Sequence, residues 1–511
     1  MKRFFFLVLY VLPVFGFAQQ LLDSVPAPIR QWLNAESANA NSGEKRDFFT
    51  RDSVTVSGYL VNQLPENFIG SGMAVTLNSF DVFEPDVSVF EIEKDGRFQV
   101  RLLIDHPLKA YLKLGDVSIP FYAVPGQKLG LAVKLQSADR VESLQYIGPN
   151  VDINTALFPE PKLADIDISG LSTVEQLDSL SAALKTRWDT DLKTLDQDRS
   201  APLIARKLIQ DNINLYYATI LLRATQTLGD LRGSSSSVRF EFLNRIDFND
   251  PELLTNNISF MTFINLLSTM DVVSTWRTSL PNAPAAVSGA KYCAAFAQLE
   301  GLLKSKMGIP TGFITQLLKV HALRGIFLQH FDKNKDAARQ FLSDFENCFS
   351  NPVLIEKAET FFYAHYSPKN QHPAYTLEAS KERDMLYKYI DRFKGKYVLI
   401  DFWAIDCAPC VQTIQATKHS RDTLHDKVEY VYFTTDRAPA SDLEKDFIKE
   451  QGMKNTYRIT MDEMNALRKL FHFLAIPTYI LVGPNGTILN DDFGSKVYTL
   501  KEELAKIELA Q

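Results

Sequence analysis

The segment Val398-Leu-Ile-Asp-Phe-Trp-Ala-Ile-Asp-Cys407-Ala-Pro-Cys410 limits what the C-terminal part of this chain can fold into. Its first seven residues are apolar and aromatic enough for a buried strand, and the run leads straight into two cysteines separated by two residues. A thiolate that attacks a disulfide forms a mixed disulfide, and a second thiol one helical turn away resolves it within the molecule. If Cys407 opens the following helix, unpaired backbone N–H groups and the helix dipole favour its thiolate. The pattern makes Cys407 the candidate nucleophile and Cys410 the candidate resolving thiol.

Half a zinc site or a plain structural disulfide has the same spacing. Zinc needs two more ligands, yet there is no second Cys-x-x-Cys and no His-x3-His pair, and His419 and His425 stand alone. A loop this short gains little from cross-linking. Redox use is the favoured reading, with no metal and no cofactor expected.

Asp-Phe-Trp-Ala-x-x-Cys-x-Pro-Cys resembles the active-site segment of thioredoxin-fold proteins, particularly the TlpA/ResA-like envelope thiol-disulfide oxidoreductases, and the resemblance covers about the last 130 residues. Further on, Ala475-Ile476-Pro477-Thr478 and the following Tyr-Ile-Leu-Val look like that family's cis-proline loop and its next strand. The resemblance implies that Pro477 faces the cysteines and that the backbone at Ile476 and Pro477 offers edge-strand hydrogen bonds to a substrate peptide. An ordinary strand-start proline is the alternative. Trp403 and Pro409, within the matched segment, are implied substrate contacts.

Asp401, six residues before Cys407, stands where the family carries a buried acid. Desolvation raises the pKa of such a group, which suits it to take a proton from Cys410; the alternative is a strand-end carboxylate facing water. One departure is Asp406, where many relatives have Trp. Its negative charge disfavours a neighbouring thiolate, so Cys407 is expected to be less acidic and the couple more reducing. Nothing before Cys407 resembles the Pro-x3-Thr-x2-Cys pocket of peroxiredoxins.

The rest of this segment alternates strand and helix. Val428-Glu-Tyr-Val-Tyr-Phe-Thr-Thr is β-rich, Ser441-x-x-Glu444 is a capping box for a helix from Leu443 to Glu450, and Met461 to Phe473 has helical apolar spacing. The Pro477 strand, the turn Gly483-Pro-Asn-Gly486, a short strand through Thr487 and a last helix capped by Thr499-x-x-Glu502 complete it. Such alternation implies a mixed or parallel sheet covered on both faces.

At the other end, Met1-Lys-Arg precedes an apolar run from Phe4 to Ala18, closed by small residues before Gln19. This has the form of a secretory signal peptide, cleaved after about residue 18, with an uncleaved anchor as the alternative. No other stretch approaches a bilayer-spanning length, so no transmembrane segment is expected after signal removal. Export to the periplasm or cell envelope suits thiol-disulfide chemistry, because disulfides persist there.

A chain of 511 residues exceeds a single core. The net charge of −6 gives no footprint for nucleic acid. Residues 19–50 read as an extension or linker. Residues 51–150 read as a β-sandwich, from alternation in Val54 to Leu60, Phe90 to Lys94 and Phe98 to Leu102, an Asp95-Gly96 hairpin turn, and turns at Pro107 and Pro125-Gly126. This stretch resembles the β-sandwich modules before thioredoxin domains in Bacteroidetes-type envelope proteins. Residues 160–378 read as an α-helical domain, opened by a capping box at Ser172-x-x-Glu175, with apolar stripes along Val174 to Leu195, Leu203 to Leu228 and Pro352 to His365. Residues 379–511 are the thioredoxin-like α/β domain. Four cysteines allow three pairings; their segregation favours 293 with 348 and 407 with 410, although Cys293 and Cys348 also suit inert buried thiols.

The reading is a multidomain, exported thiol-disulfide oxidoreductase, expected to act as a protein-disulfide reductase on disulfide-containing proteins and to be recharged by a membrane or envelope dithiol donor. The alternative is a non-catalytic envelope binding or assembly protein that keeps the thioredoxin fold as a scaffold.

Overall fold

A computed structural model describes residues 21–510 apart from 39–46, 62–69, 78, 81–84, 116, 138, 161–162, 164–165, 169, 198, 228–236, 279–288, 328–330, 332–333, 367–373, 437–439 and 474–475. The expected signal peptide at 1–18, and most of the loop Ser234 to Ser237, lie outside the described residues. Contacts divide the chain into two compact units, the second holding Ser367–Gln511.

In the first unit, strands β1 (Asp52–Leu60), β2 (Ser71–Leu77), β3 (Pro85–Glu91), β4 (Arg97–Ile104), β5 (Leu108–Leu114), β6 (Val117–Ala123), β7 (Lys128–Ser137) and β8 (Arg140–Ile147) form two four-stranded sheets. Their orders are β4-β1-β7-β8 and β3-β2-β5-β6. In β4 every second residue, Phe98 to Ile104, turns into the apolar cluster shared with Leu112, Ile119 and Phe121. The pairs β1–β4, β7–β8, β2–β5 and β5–β6 are antiparallel, and β1 runs parallel to β7. The Asp95-Gly96 turn forms, with Gly96 at φ 92°, but it does not make a simple hairpin. Next to the turn the Glu93 N–H donates to the Arg97 carbonyl at 2.7 Å and Ile92 bridges to Phe98, but β3 and β4 belong to different sheets. Local turn chemistry set the reversal; burial of both strands decided the partners.

The stretch read as a linker contains α1 (Ala27–Glu36), which buries Leu33 against Tyr59 and Ala132. After β8 come α2 (Val151–Ala156), α3 (Val174–Gln197), α4 (Leu203–Thr227), α5 (Asn257–Thr269), α6 (Asp271–Thr278), α7 (Gly289–Met307), α8 (Phe313–Ile326), α9 (Lys335–Phe345) and α10 (Pro352–His365). The cap of α3 sits one residue later than expected. Thr173 Oγ1 accepts from the Gln176 N–H, and the Gln176 side chain returns a bond to the Thr173 N–H. At the start of α4, Leu203 and Ile204 are exposed, so the stripe expected there does not begin in the core.

The stretches read as separate domains, 51–150 and 160–378, lie largely within this one unit. A buried polar joint links them. Asn257, opening α5, donates to the Leu77 carbonyl at 2.7 Å and to Ser79 Oγ at 2.9 Å, while His106 Nε2 lies 2.9 Å from the same hydroxyl. Phe49, Phe80 and Phe313 pack around this joint. Tyr375, within the stretch read as helical, bridges to Ile488 in the second unit.

Cys293 in α7 is disulfide-bonded to Cys348, with Cα atoms 5.3 Å apart. Lys319, from α8, donates to the Cys348 carbonyl at 3.1 Å and pairs with Glu300.

In the second unit, α11 (Lys381–Ile390), β9 (Tyr397–Phe402), α12 (Ala408–Ala416), α13 (Lys418–Leu424), β10 (Val428–Thr435), α14 (Asp442–Glu450), β11 (Asn455–Ile459), α15 (Met461–Phe471), β12 (Thr478–Val482), β13 (Ile488–Asn490) and α16 (Leu500–Ala510) follow the expected alternation. The sheet order is β11-β10-β9-β12-β13, parallel from β11 to β9 and antiparallel beyond. Ser441 caps α14 as read. The Thr499 hydroxyl instead bonds the Lys496 carbonyl. A full capping box stands at Thr460 and Glu463, opening α15, and His472 ends that helix with a left-handed φ of 54°. Among the described residues no helix is long and apolar enough to cross a membrane.

The disulfide between Cys293 and Cys348 closes a 55-residue separation, so its loss should cost the first unit about 4 kcal/mol of unfolding free energy. Denaturant melts of the Cys293→Ala/Cys348→Ala chain check this; an unchanged midpoint would show that the cross-link constrains nothing.

Candidate functional site

All six residues of β9 are buried, because the strand is central and both faces of the sheet are covered. Val398, Ile400 and Phe402 enter the cluster that includes Leu386 and Leu467. Tyr397, Leu399, Asp401 and Trp403 alternate with them and turn to the other face, where α12, α13 and α16 supply Cys410, Leu424 and Leu504. The strand pattern thus places one acid, Asp401, among apolar side chains.

Beyond β9 the chain turns once and enters α12. Cys407 is its N-cap, with extended φ and ψ of −87° and 95°, and its sulfur accepts from the Cys410 N–H at 3.3 Å. Ala408 and Pro409 form the first turn, where proline loses no helical hydrogen bond. Cys407 and Cys410 are disulfide-bonded, with Cα atoms 5.3 Å apart. Cys407 is half-buried and Cys410 fully buried, so of the two only Cys407 is open to solvent.

The Ile476–Pro477 peptide is cis, and the Ile476 carbonyl oxygen lies 3.7 Å from Cys407 Sγ. The structure therefore brings Cys407, Cys410, Pro409, Ile476 and Pro477 together around one half-open disulfide; Leu474 and Ala475 lie outside the described residues. Trp403, expected to touch substrate, does not reach the surface. It is 1% exposed, its ring 5.9 Å from that of Phe447 in the cluster with Cys410 and Ile414. Strand alternation turns it inward, so it serves as a wall behind the disulfide.

Asp401 is 4% exposed, and its Oδ1 is buried with no hydrogen-bond partner among the described residues. Burial pushes its pKa up to about 8, and the positive charge of Arg421 pulls partly against that rise. The water-facing alternative for Asp401 is excluded by this burial. Directly opposite it across the ladders stand Tyr432 on β10 and Tyr479 on β12. Opposed residues of neighbouring strands share a face. Burial raises the pKa of both phenols, and the carboxylate charge of Asp401 adds to the rise. Arg421 of α13, itself buried, was not singled out in the sequence, nor were the two tyrosines. Their apolar bodies fit a strand pattern, and only register brings them to the acid.

The family described as thioredoxin-like matches residues 395–488. The C-terminal domain is thioredoxin-like. In sequence the chain is similar to the thiol-disulfide oxidoreductase ResA of Bacillus thuringiensis subsp. konkukian and of Bacillus cereus, each 24% identical over 115 residues. Those residues are 22% of this chain and 64% of each relative, so the chain spans just under two thirds of their length. Among solved structures it is similar to the thioredoxin domain of a thiol-disulfide oxidoreductase from Bacteroides vulgatus, 26% identical, covering 22% of this chain and 83% of that one at a TM-score of 0.21. It is also similar to StoA from Bacillus subtilis, 28% identical, covering 21% and 82% at a TM-score of 0.18.

Because Asp401 holds its proton to about pH 8 when folded and ionises far lower when unfolded, its contribution to stability is whole in acid and is lost as pH rises toward that value. Asp401→Asn should therefore stabilise the thioredoxin-like domain by on the order of a few kcal/mol at pH 9, and by little at pH 4. Equal gains at both pH values in urea melts would contradict the buried, protonated acid.

Proposed function

We propose that this chain is an exported thiol-disulfide oxidoreductase that reduces disulfides in other envelope proteins through Cys407 and Cys410. The observation that carries this reading is the half-buried Cys407, at a helix N-terminus with its sulfur 3.7 Å from the Ile476 carbonyl and bonded to the buried Cys410. The family match and the ResA-like relatives support it.

In the dithiol form the Cys407 thiolate, favoured by the start of α12, attacks one sulfur of a substrate disulfide. A Cys407–substrate bond forms, the substrate bond breaks, and one substrate thiolate leaves. Cys410 then loses its proton to the Asp401 carboxylate and attacks Cys407 Sγ. The Cys407–Cys410 disulfide forms, and the second substrate thiol is released. Two electrons have passed to the substrate; a membrane or envelope dithiol returns the pair to the enzyme. An extended substrate segment lies along the backbone at Ile476 and Pro477, with Pro409 beside the attacked sulfur. The upstream regions position substrate or partner.

Reduction of a test protein disulfide, driven by a small dithiol, checks this scheme. Cys407→Ser should abolish turnover, Cys410→Ser should accumulate a mixed disulfide, and Asp401→Asn should slow resolution about 10- to 100-fold while sparing the first attack. Turnover by Cys407→Ser equal to wild type would leave a scaffold role only.

Asp406, exposed beside Cys407, tests the direction of the couple. Asp406→Asn should bring the alkylation midpoint of Cys407 to lower pH and make the couple less reducing. A midpoint moved the other way would remove the argument for a reductase from this residue.

A further inference from the structure

Arg421 is a buried cation, 7% exposed, in α13. Its guanidinium donates to the Ile414 carbonyl, to Thr417 Oγ1 at 3.0 Å and to the Gln451 carbonyl at 3.1 Å. All three acceptors are neutral, and among the described residues no carboxylate lies within ion-pair distance of it. Burying a cation so is costly unless something anionic shares its low-dielectric surroundings. Part of the compensation is local: Ile414 lies in the last turn of α12, where unpaired carbonyls carry the negative end of the dipole. The helix that Cys407 caps at its N-terminus is thus held by Arg421 in its last turn.

Arg421 also acts on Asp401, where its positive charge opposes the rise that burial imposes on the carboxyl. Tyr432, directly opposite Asp401, packs in one cluster with Cys410, Ile414 and Trp403, so the acid and α12 share one dry layer. The groups that act on or stand opposite Asp401 are Tyr432 from β10, Tyr479 from β12 and Arg421 from α13; Tyr430 and Cys410 adjoin Tyr432, and Tyr498 reaches the same layer through Thr413, at 2.8 Å. Of these, Arg421 alone is a cation, and its field also favours ionisation of Tyr430 and Tyr432. The phenols stay protonated, because burial holds both above their ordinary range.

We infer that Arg421 is a positioning residue for the reaction: its buried guanidinium supplies the field that allows the Asp401 carboxyl to ionise in the layer it shares with Cys410. The inference rests on the thiol-disulfide reading for its consequence, a faster resolving step, and not for the electrostatic coupling itself. Without that charge the carboxyl would titrate higher still, and a smaller share of it would be ionised and able to accept a proton from Cys410.

The test measures the two separately on the full oxidised chain. The carboxyl band of Asp401, identified by its loss in Asp401→Asn, is followed by infrared spectroscopy against pH. Arg421→Gln, which keeps an amide donor for the carbonyls and removes the charge, should raise the midpoint by about one unit or more, tenfold in proton affinity. Arg421→Lys should stay near wild type. If Arg421→Gln does not fold, Arg421→Met is the second charge-removing chain. In the reduced chain, the pH profile of mixed-disulfide resolution should move upward by the same amount with Arg421→Gln, and should not move when Asp401→Asn is already present. A midpoint that stays in place in a folded, charge-removed chain overturns the inference, even if stability falls, because bonding to Ile414 and Gln451 alone then explains the residue. A midpoint that moves while resolution is indifferent to Asp401 leaves the coupling intact and refutes the proton-transfer step instead.

Discussion

The thioredoxin-like domain depends on one central strand being dry on both sides. Burial of Tyr397–Phe402 anchors its two neighbouring strands and both helical layers, and it fixes the direction in which the chain leaves the sheet toward Cys407. Because the side-chain period is two, that strand must put Asp401 on the face it shares with Trp403. The acid cannot turn to water without carrying Ile400 and Phe402 out of the opposite core. Its raised pKa is therefore a consequence of strand position and not of any device near the cysteines.

The same geometry divides the labour proposed for the two sulfurs. Cys407 caps a helix and stays partly open, while Cys410, one turn on, is enclosed by Trp403, Ile414 and Tyr432. A sulfur that must meet partners needs access, and one that only resolves an internal bond needs proximity and a proton acceptor. Low dielectric around Asp401 makes a single buried charge such as Arg421 effective at a distance where water would screen it.

The first unit depends on a different device. Its sandwich and its helices meet at Asn257, Ser79 and His106, three buried polar side chains that complete one another's hydrogen bonds among aromatic rings. A joint of this kind specifies its partner surfaces, because misalignment would strand buried donors and acceptors. The disulfide between Cys293 and Cys348 cross-links the helical part of the same unit.

Much of this was legible in the chain itself. The motif around Cys407 and Cys410, the acid six residues upstream and the proline at 477 are local patterns, and local patterns carry helix starts, strand period and the chemistry of single residues. Turn and cap chemistry was also readable, with errors of one residue at Thr173 and an omission at Thr460, where competing hydroxyls in a short stretch leave the choice to packing. Tertiary structure alone decided which strands flank Asp401, that Trp403 faces inward, that α1 docks on β1 and β7, that the Asp95-Gly96 turn parts two sheets, and that Arg421 lies near the acid. These depend on register and on contacts between residues far apart in sequence, where the free energy of burial, shared over a whole core, outweighs any preference written into a few neighbouring residues.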